Sequence, residues 1–308
     1  MVKILLTGAR GMVGKNILNH DKAKNYDFMN PSSKDLNLLD KSEVDKFLSE
    51  HKPDFVIHAA GVVGGIQANI NNPVKFFVEN MLMGINLITA ARESGVQQLM
   101  NMGSSCMYPR NIEHALSEDL ILKGELEPTN EGYALAKVAA ARLCEYISRE
   151  HVNLEYKTII PCNLYGKYDK FDETNSHMIP AVIRKFVVAV KEKSEFVDIW
   201  GDGEARREFM YAEDLADFVF YAIDNFTVMP QNLNVGLGHD YSINDYYKTI
   251  AKITGYKGTF KHDLTKPVGM KRKLIDNTLL TEFGWKSKTD LSQGVAKTYQ
   301  YFLDEIVK

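Results

Sequence analysis

Seven residues near the start of the chain, Gly8-Ala9-Arg10-Gly11-Met12-Val13-Gly14, restrict its fold more than any other segment. They follow a short apolar run at residues 2–7 and open a segment at 12–20 with helical character. An apolar run that ends in glycines reads as a buried strand. In the spacing GxxGxxG the first glycine permits a tight turn. The second lets the backbone approach a pyrophosphate, and the third allows close packing of helix on strand. The helix N-terminus then directs amides and a partial positive charge at the phosphates. The segment predicts a strand–turn–helix unit that holds a dinucleotide through Gly8, Arg10, Gly11, Met12, Val13 and Gly14.

The rest of the chain extends that unit. Further short strands are predicted at 25–29, 54–60, 97–103 and 154–160, with helices at 41–51, 73–94 and 132–150. Gly95 stands where a helix ends in the left-handed conformation. Apolar strands alternating with helices imply an α/β fold with a Rossmann-type, doubly wound parallel sheet and right-handed crossovers. The alternation weakens after residue 165. Residues 1–165, with return segments at about 206–250, are expected to form the nucleotide domain, including a helix at 212–225 and a strand at 231–237. Residues 166–205 and 251–308 are expected to build mainly a smaller C-terminal substrate-binding lobe. The 308 residues, 45% of them hydrophobic, suffice for a core of that size.

The formal charge of −3 and a sequence pI near 6.3 favour neither nucleic acid nor an anionic membrane as partner. Cys106, Cys144 and Cys162 are odd in number and lack metal-ligand spacing, so free thiols and no metal site are expected. Cys144 and Cys162 read as small buried hydrophobes. The N-terminus is too short for a signal region, and no apolar stretch approaches the ~20 residues of a membrane span. A cytoplasmic protein is expected.

Tyr133-Ala134-Leu135-Ala136-Lys137 carries the chemistry. Residues four apart share a helix face. An ammonium beside a phenol favours the phenolate and lowers its pKa, so the tyrosine can exchange a proton with a carbonyl oxygen. Ser104 follows the fourth strand at its carboxyl end, where ligands bind in open α/β sheets. It is placed to hydrogen-bond a substrate carbonyl; the alternative is turn capping. The second strand runs into Asn30-Pro31-Ser32-Ser33-Lys34 with no acid at its tip. Arg10 and Lys34 then either face a ribose 2′-phosphate, which makes the cofactor NADP(H), or are solvated charges. Asp40 either accepts from the adenine amino group or starts the next helix.

Eight segments together give a resemblance: GARGMVG at 8–14, DLNLLD at 35–40, VVGGIQAN at 62–69, GSSCMYP at 103–109, LEPTNEGYALAK at 126–137, NLYG at 163–166, NSHMIP at 175–180 and REF at 207–209. In this order they resemble the GDP-L-fucose synthases, a family of extended short-chain dehydrogenase/reductases. The resemblance implies an NADPH-dependent epimerase/reductase. It would convert a GDP-4-keto-6-deoxy-mannose-type sugar to GDP-L-fucose or a close GDP-deoxy-sugar relative. It makes Ser104, Tyr133 and Lys137 the reductase triad, Cys106 the epimerisation base and His177 its acid partner. Met102, Gly103, Ser105, Pro161, Asn163, Leu164 and His177 fall on cofactor positions, together with Ser104, Tyr133 and Lys137. Asn163, Lys185, Trp200, Arg207 and Lys273 fall on the nucleotide sugar. A homodimer through the helices at 73–94 and 132–150 follows by analogy with the fold.

The implied chemistry is coherent by itself. Protons at C3 and C5 are acidified by the C4 ketone, because the enolate spreads charge onto O4. One base and one acid across the ring can invert both centres. The chain also departs from the family. The basic residues often found after the second strand are replaced by 30–33, an often-arginine position is Lys185, and an often-acidic position is Val268 before Gly269. The alternative is a C4 reductase alone, acting on a GDP-4-keto-6-deoxy-heptose or a related nucleotide sugar.

Overall fold

In the computed structural model the glycine-rich start folds as its spacing predicts: β1 (Lys3–Thr7) runs into the turn and α1 (Met12–Leu18) leaves it. Residues 1–172, 176–266 and 270–307 are described. Two glycines make the turn possible. Gly8 has φ +74°, and a Cβ there would meet the Ala59 carbonyl at 2.6 Å. A Cβ on Gly14 would lie 2.5 Å from both Gly8 O and Ala9 Cα, so helix and turn touch backbone to backbone. Gly14→Ala is therefore expected to destabilise the protein by about 1–3 kcal/mol. The check is urea unfolding, with a lower midpoint at unchanged slope.

β2 (Asp27–Met29), β3 (Phe55–His58), β4 (Gln98–Met102) and β5 (Glu155–Pro161) join β1 and the strand Asn232–Val235 in one parallel sheet. Its order is Asn232–Val235, β5, β4, β3, β1, β2. Side chains alternate across it as the pleat requires. Ile4, Leu6, Phe55, Ile57, Met100 and Ile159 pack into a core with Phe218 and Phe220 of the helix Ala212–Asp224. Leu5, Val56, Leu99 and Tyr156 face the opposite core. There they meet Leu48 of α2 (Lys41–His51), Leu87 and Ile88 of α4 (Pro73–Glu93), and Cys144 and Ile147 of α5 (Glu131–Glu150). The short α3 (Ile66–Asn71) precedes α4. The chain leaves β1 on one side for β2 and returns on the other for β3. That switch opens a crevice beyond the strands' carboxyl ends, where a ligand can sit.

A second core joins the helices Met178–Glu192, Ile243–Thr254 and Leu291–Glu305 through Ile183, Phe186, Tyr246, Ile250 and Phe302. The two cores interleave more finely than the sequence segments suggest. The helix Ile243–Thr254 straddles the expected boundary near residue 250, and it packs in the second core. Leu280 and Trp285, from the expected lobe, pack in the first. One expectation needs correction. By length and composition alone, α4 is apolar enough to cross a membrane. Its apolarity has a local use, since Leu87, Ile88, Ala90 and Ala91 are fully buried in the sheet's core.

Candidate active site

α5 begins immediately after Asn130, which puts Tyr133 in its first turn and Lys137 one turn later. Lys137 is buried, its Nζ donates to Met102 O at 2.8 Å, and it stands 5.8 Å from the centroid of the Tyr133 ring. Ser104 extends from β4. Its Oγ accepts from Cys106 N at 3.4 Å and caps the single turn Ser105–Met107. The same hydroxyl is hydrogen-bonded to the Tyr133 phenol and the Cys106 thiol. Of the two roles open to Ser104, the structure shows the cap, and the same residue also lines the cavity beside Tyr133.

Burial dominates the titration of this cluster. It pushes the Tyr133 phenol up, the Cys106 charge adds to the rise, and the Ser104 hydrogen bond opposes it. Burial also lowers Lys137 to about 8 against the attraction of Cys106. The expected lowering of the phenol by Lys137 is therefore corrected. The ammonium bonds to Met102 O, and desolvation of the phenolate prevails. Tyr133 is held as an acid, which suits protonation of an oxygen. The Cys106 thiol is likewise raised by burial, opposed first by Lys273, then by Ser104 and Lys137. His177 immediately precedes the helix Met178–Glu192, with Nδ1 3.5 Å from Oδ1 of the buried Asp169.

A cavity of about 280 Å³ brings together Ser104, Cys106, Tyr133, Asn163, His177, Arg207 and Lys273. Arg207 and Lys273 are paired residues of two short parallel strands. Beneath them the buried Glu208 accepts from Leu237 N at 2.5 Å, Gly238 N at 2.9 Å and Ile275 N at 3.0 Å. Burial still raises its carboxyl to about 7 against these bonds. Asp240 binds Arg206 Nε at 2.7 Å and Arg272 Nε at 2.6 Å. Four neighbouring cations therefore divide: Arg206 and Arg272 hold the strands together, while Arg207 and Lys273 line the cavity.

Lys185 and Trp200 do not line this cavity. Lys185 Nζ lies 3.1 Å from each carboxylate oxygen of Asp198, and Trp200 is exposed beneath Lys266. The sequence reading missed Asn69, Glu127, Thr129 and Asn130, all of which line the cavity. They sit inside the segments VVGGIQAN and LEPTNEGYALAK, where their polarity beside glycines and the catalytic helix was the available signal. Val268 and Gly269 lie outside the described residues, as does Asn175 of NSHMIP.

The residues at the sheet's carboxyl edge fit a dinucleotide. The Gly8 and Gly14 positions leave no room for side chains, and Gly11 caps α1 without a side chain over the first amides. Beyond β2, Asp35 is held below the usual carboxylate range by hydrogen bonds from Ser32, with Arg10 and Lys34 adding to the effect. Arg10 and Lys34 thus both lie near Asp35, beyond the second strand. Of the two roles open to Asp40, the structure shows the cap: Oδ1 accepts from Ser42 N at 2.9 Å and Glu43 N at 3.3 Å. Met102, Gly103 and Ser105 form the turn beside Lys137, with Gly103 N donating to Ile159 O at 2.8 Å. Pro161 ends β5, followed by Asn163 and Leu164.

The model of the NAD dependent epimerase/dehydratase family matches residues 4–236, most of the chain. The chain belongs to that family. Among curated members it is 69% identical over 304 residues to a GDP-L-colitose synthase of Yersinia pseudotuberculosis, covering 99% of each chain. It is 46% identical over 301 residues to a GDP-L-fucose synthase of Azorhizobium caulinodans, covering 98% of this chain and 96% of the relative. A GDP-mannoheptose C4 reductase from Campylobacter jejuni, solved with NADP bound, superposes with a TM-score of 0.89 at 29% identity, covering 98% of both chains. Each of these matches spans 98–99% of this chain.

Proposed function

We propose that the protein is an NADPH-dependent epimerase/reductase acting on a GDP-4-keto-6-deoxy sugar of the manno series. The product is GDP-L-fucose or a close GDP-deoxy-sugar relative. The observation that carries this reading is the meeting of two chemistries in one cavity: Cys106 and His177 for proton exchange, and Ser104 and Tyr133 with Lys137 behind them for reduction. Cys106 removes a proton next to the C4 ketone, while Tyr133 and Ser104 hydrogen-bond the oxygen on which the charge collects. His177 returns a proton from across the ring. NADPH, when bound, would supply the hydride for C4, and Tyr133 is placed to protonate O4. Arg207 and Lys273 hold the diphosphate.

The 69% identical relative favours GDP-L-colitose as product. L-Colitose is L-fucose without its 3-hydroxyl, so its precursor needs inversion at C5 only. Incubation with the keto-sugar in deuterated water, without NADPH, tests the reading. Deuterium is expected at C5, and also at C3 when that carbon bears a hydroxyl. No deuterium uptake here, together with normal NADPH oxidation in a parallel assay, would leave a C4 reductase alone.

The exposed side chains Val74, Phe77, Val78, Leu82 and Ile85 recur along one face of α4, and Leu135 and Tyr146 are exposed on α5. This apolar stripe supports a homodimer through the two helices. Three free, buried cysteines support a reducing compartment, the cytoplasm.

A further inference from the structure

One buried carboxylate, Asp169, meets the imidazole of His177, a residue of the cavity wall. Oδ1 of Asp169 lies 3.5 Å from His177 Nδ1; the aspartate side chain is 3% exposed and the imidazole 42%. Oδ1 also accepts from Lys170 N at 2.8 Å, whereas Oδ2 is buried and has no hydrogen-bond partner among the described residues. Among those residues no lysine or arginine pairs with this carboxylate, so His177 is the side chain that can offset its charge. A buried carboxylate is costly unless it is paired. The backbone is arranged to put it there. Tyr168, just before it, has φ +68°, a left-handed conformation uncommon for so bulky a residue. Contacts on both sides hold that conformation. Asn16 of α1 donates to Lys167 O at 3.1 Å, and the Tyr168 ring meets Lys15 Nζ and the Tyr301 ring, each 5.4 Å from its centroid. Phe171 is buried in the second core against Phe302. Strained backbone persists only where its surroundings impose it, and it gathers at functional sites.

We propose that Asp169 is a positioning residue for His177. Its carboxylate accepts from Nδ1–H of the imidazole. That bond fixes the ring and its tautomer, and it leaves Nε2 as the nitrogen that exchanges a proton with the sugar. The charge of Asp169 has a second use. His177 immediately precedes the helix Met178–Glu192, and the positive end of a helix disfavours a cation. When the ring carries both protons, ready to return one to the sugar, Asp169 supplies the negative charge that opposes this effect. The proposal rests on the reading of His177 as the acid of epimerisation.

The test has a spectroscopic and a kinetic arm, both on the full chain. Long-range proton–nitrogen NMR spectra of protein carrying isotope-labelled histidine report the tautomer of each neutral ring, and the His177 signals are those missing from His177→Gln. In wild type this ring is expected to carry its proton on Nδ1, and in Asp169→Ala to shift toward the Nε2–H form. An Nε2–H ring in wild type, or a ring unmoved by the substitution, overturns the proposal. In the kinetic arm, deuterium uptake by the keto-sugar without NADPH is expected to fall about tenfold or more in Asp169→Ala. Added to His177→Gln, the same substitution should change uptake by less than about twofold, because the ring it acts through is gone. Equal losses in the two backgrounds would make Asp169 a structural residue and overturn the proposal. If His177→Gln takes up deuterium as fast as wild type, it is the acid role of His177 that fails, and the spectra still decide whether Asp169 holds the ring. The wild-type spectrum also decides alone should Asp169→Ala fail to fold or His177→Gln leave no measurable uptake.

Discussion

Tyr133→Phe is expected to slow NADPH oxidation with the keto-sugar by about 10²–10⁴-fold. Deuterium should still enter the sugar at a measurable rate. The ring of Tyr133 packs against the small apolar cluster of Cys106, Leu126 and Ala134, and phenylalanine keeps that packing. What is lost is one hydroxyl, hydrogen-bonded to Ser104 and kept protonated by burial. Reduction at C4 needs a proton delivered to O4, and the buried, protonated Tyr133 phenol is the acid assigned to that step. Enolate formation depends instead on Cys106 and His177. In the variant it loses one of two hydrogen bonds to O4, the other being that of Ser104. Stopped-flow absorbance of NADPH and mass spectra of the recovered sugar separate the two steps. Full reductase activity in Tyr133→Phe would remove this tyrosine from the mechanism, whereas a fall in melting temperature with loss of both steps would indicate a structural effect.

The parts of this site that are legible in the sequence are those encoded by short spacing. GxxGxxG and YxxxK each place their residues within one or two turns of backbone, so periodicity suffices to read them. The helices of the second core carried equally local signals that went unread. Ser242 and Asp245, and Asp290 and Gln293, form capping boxes at the starts of Ile243–Thr254 and Leu291–Glu305. Other features depend on contacts between distant segments. Arg206 and Arg272 look no different from Arg207 and Lys273 until the fold brings Asp240 between them. Glu208 stands in the quoted REF segment, but its bonds run to Leu237, Gly238 and Ile275. The direction of the Tyr133 shift was misread for the same reason. Helical spacing puts Lys137 alongside, but the carbonyl of Met102, at the end of β4, takes its ammonium.

Cys106→Ser is expected to reduce deuterium exchange by about 10²–10⁴-fold, because a serine hydroxyl is a far weaker acid than a thiol. The wild-type pH dependence follows from the surroundings of the thiol. Burial raises Cys106 above the ordinary cysteine value, so at neutral pH the thiol is largely protonated and the base is scarce. Exchange should therefore rise with pH through the neutral and mildly alkaline range. Lys137, lowered to about 8, loses its charge over that same range. One of the cations favouring the thiolate then weakens, and the rise should become shallower above that point. Lys273 is the foremost cation opposing the effect of burial on Cys106, so Lys273→Met should move the whole profile toward higher pH. Lys273→Arg should leave it near its original place. The measurement is the initial rate of deuterium uptake from about pH 6 to about pH 9, with NADPH omitted so that reduction does not intervene. A profile that is flat over this range in wild type, or unmoved by Lys273→Met, would mean that a group other than the Cys106 thiolate removes the proton. His177 is the alternative within the same cavity.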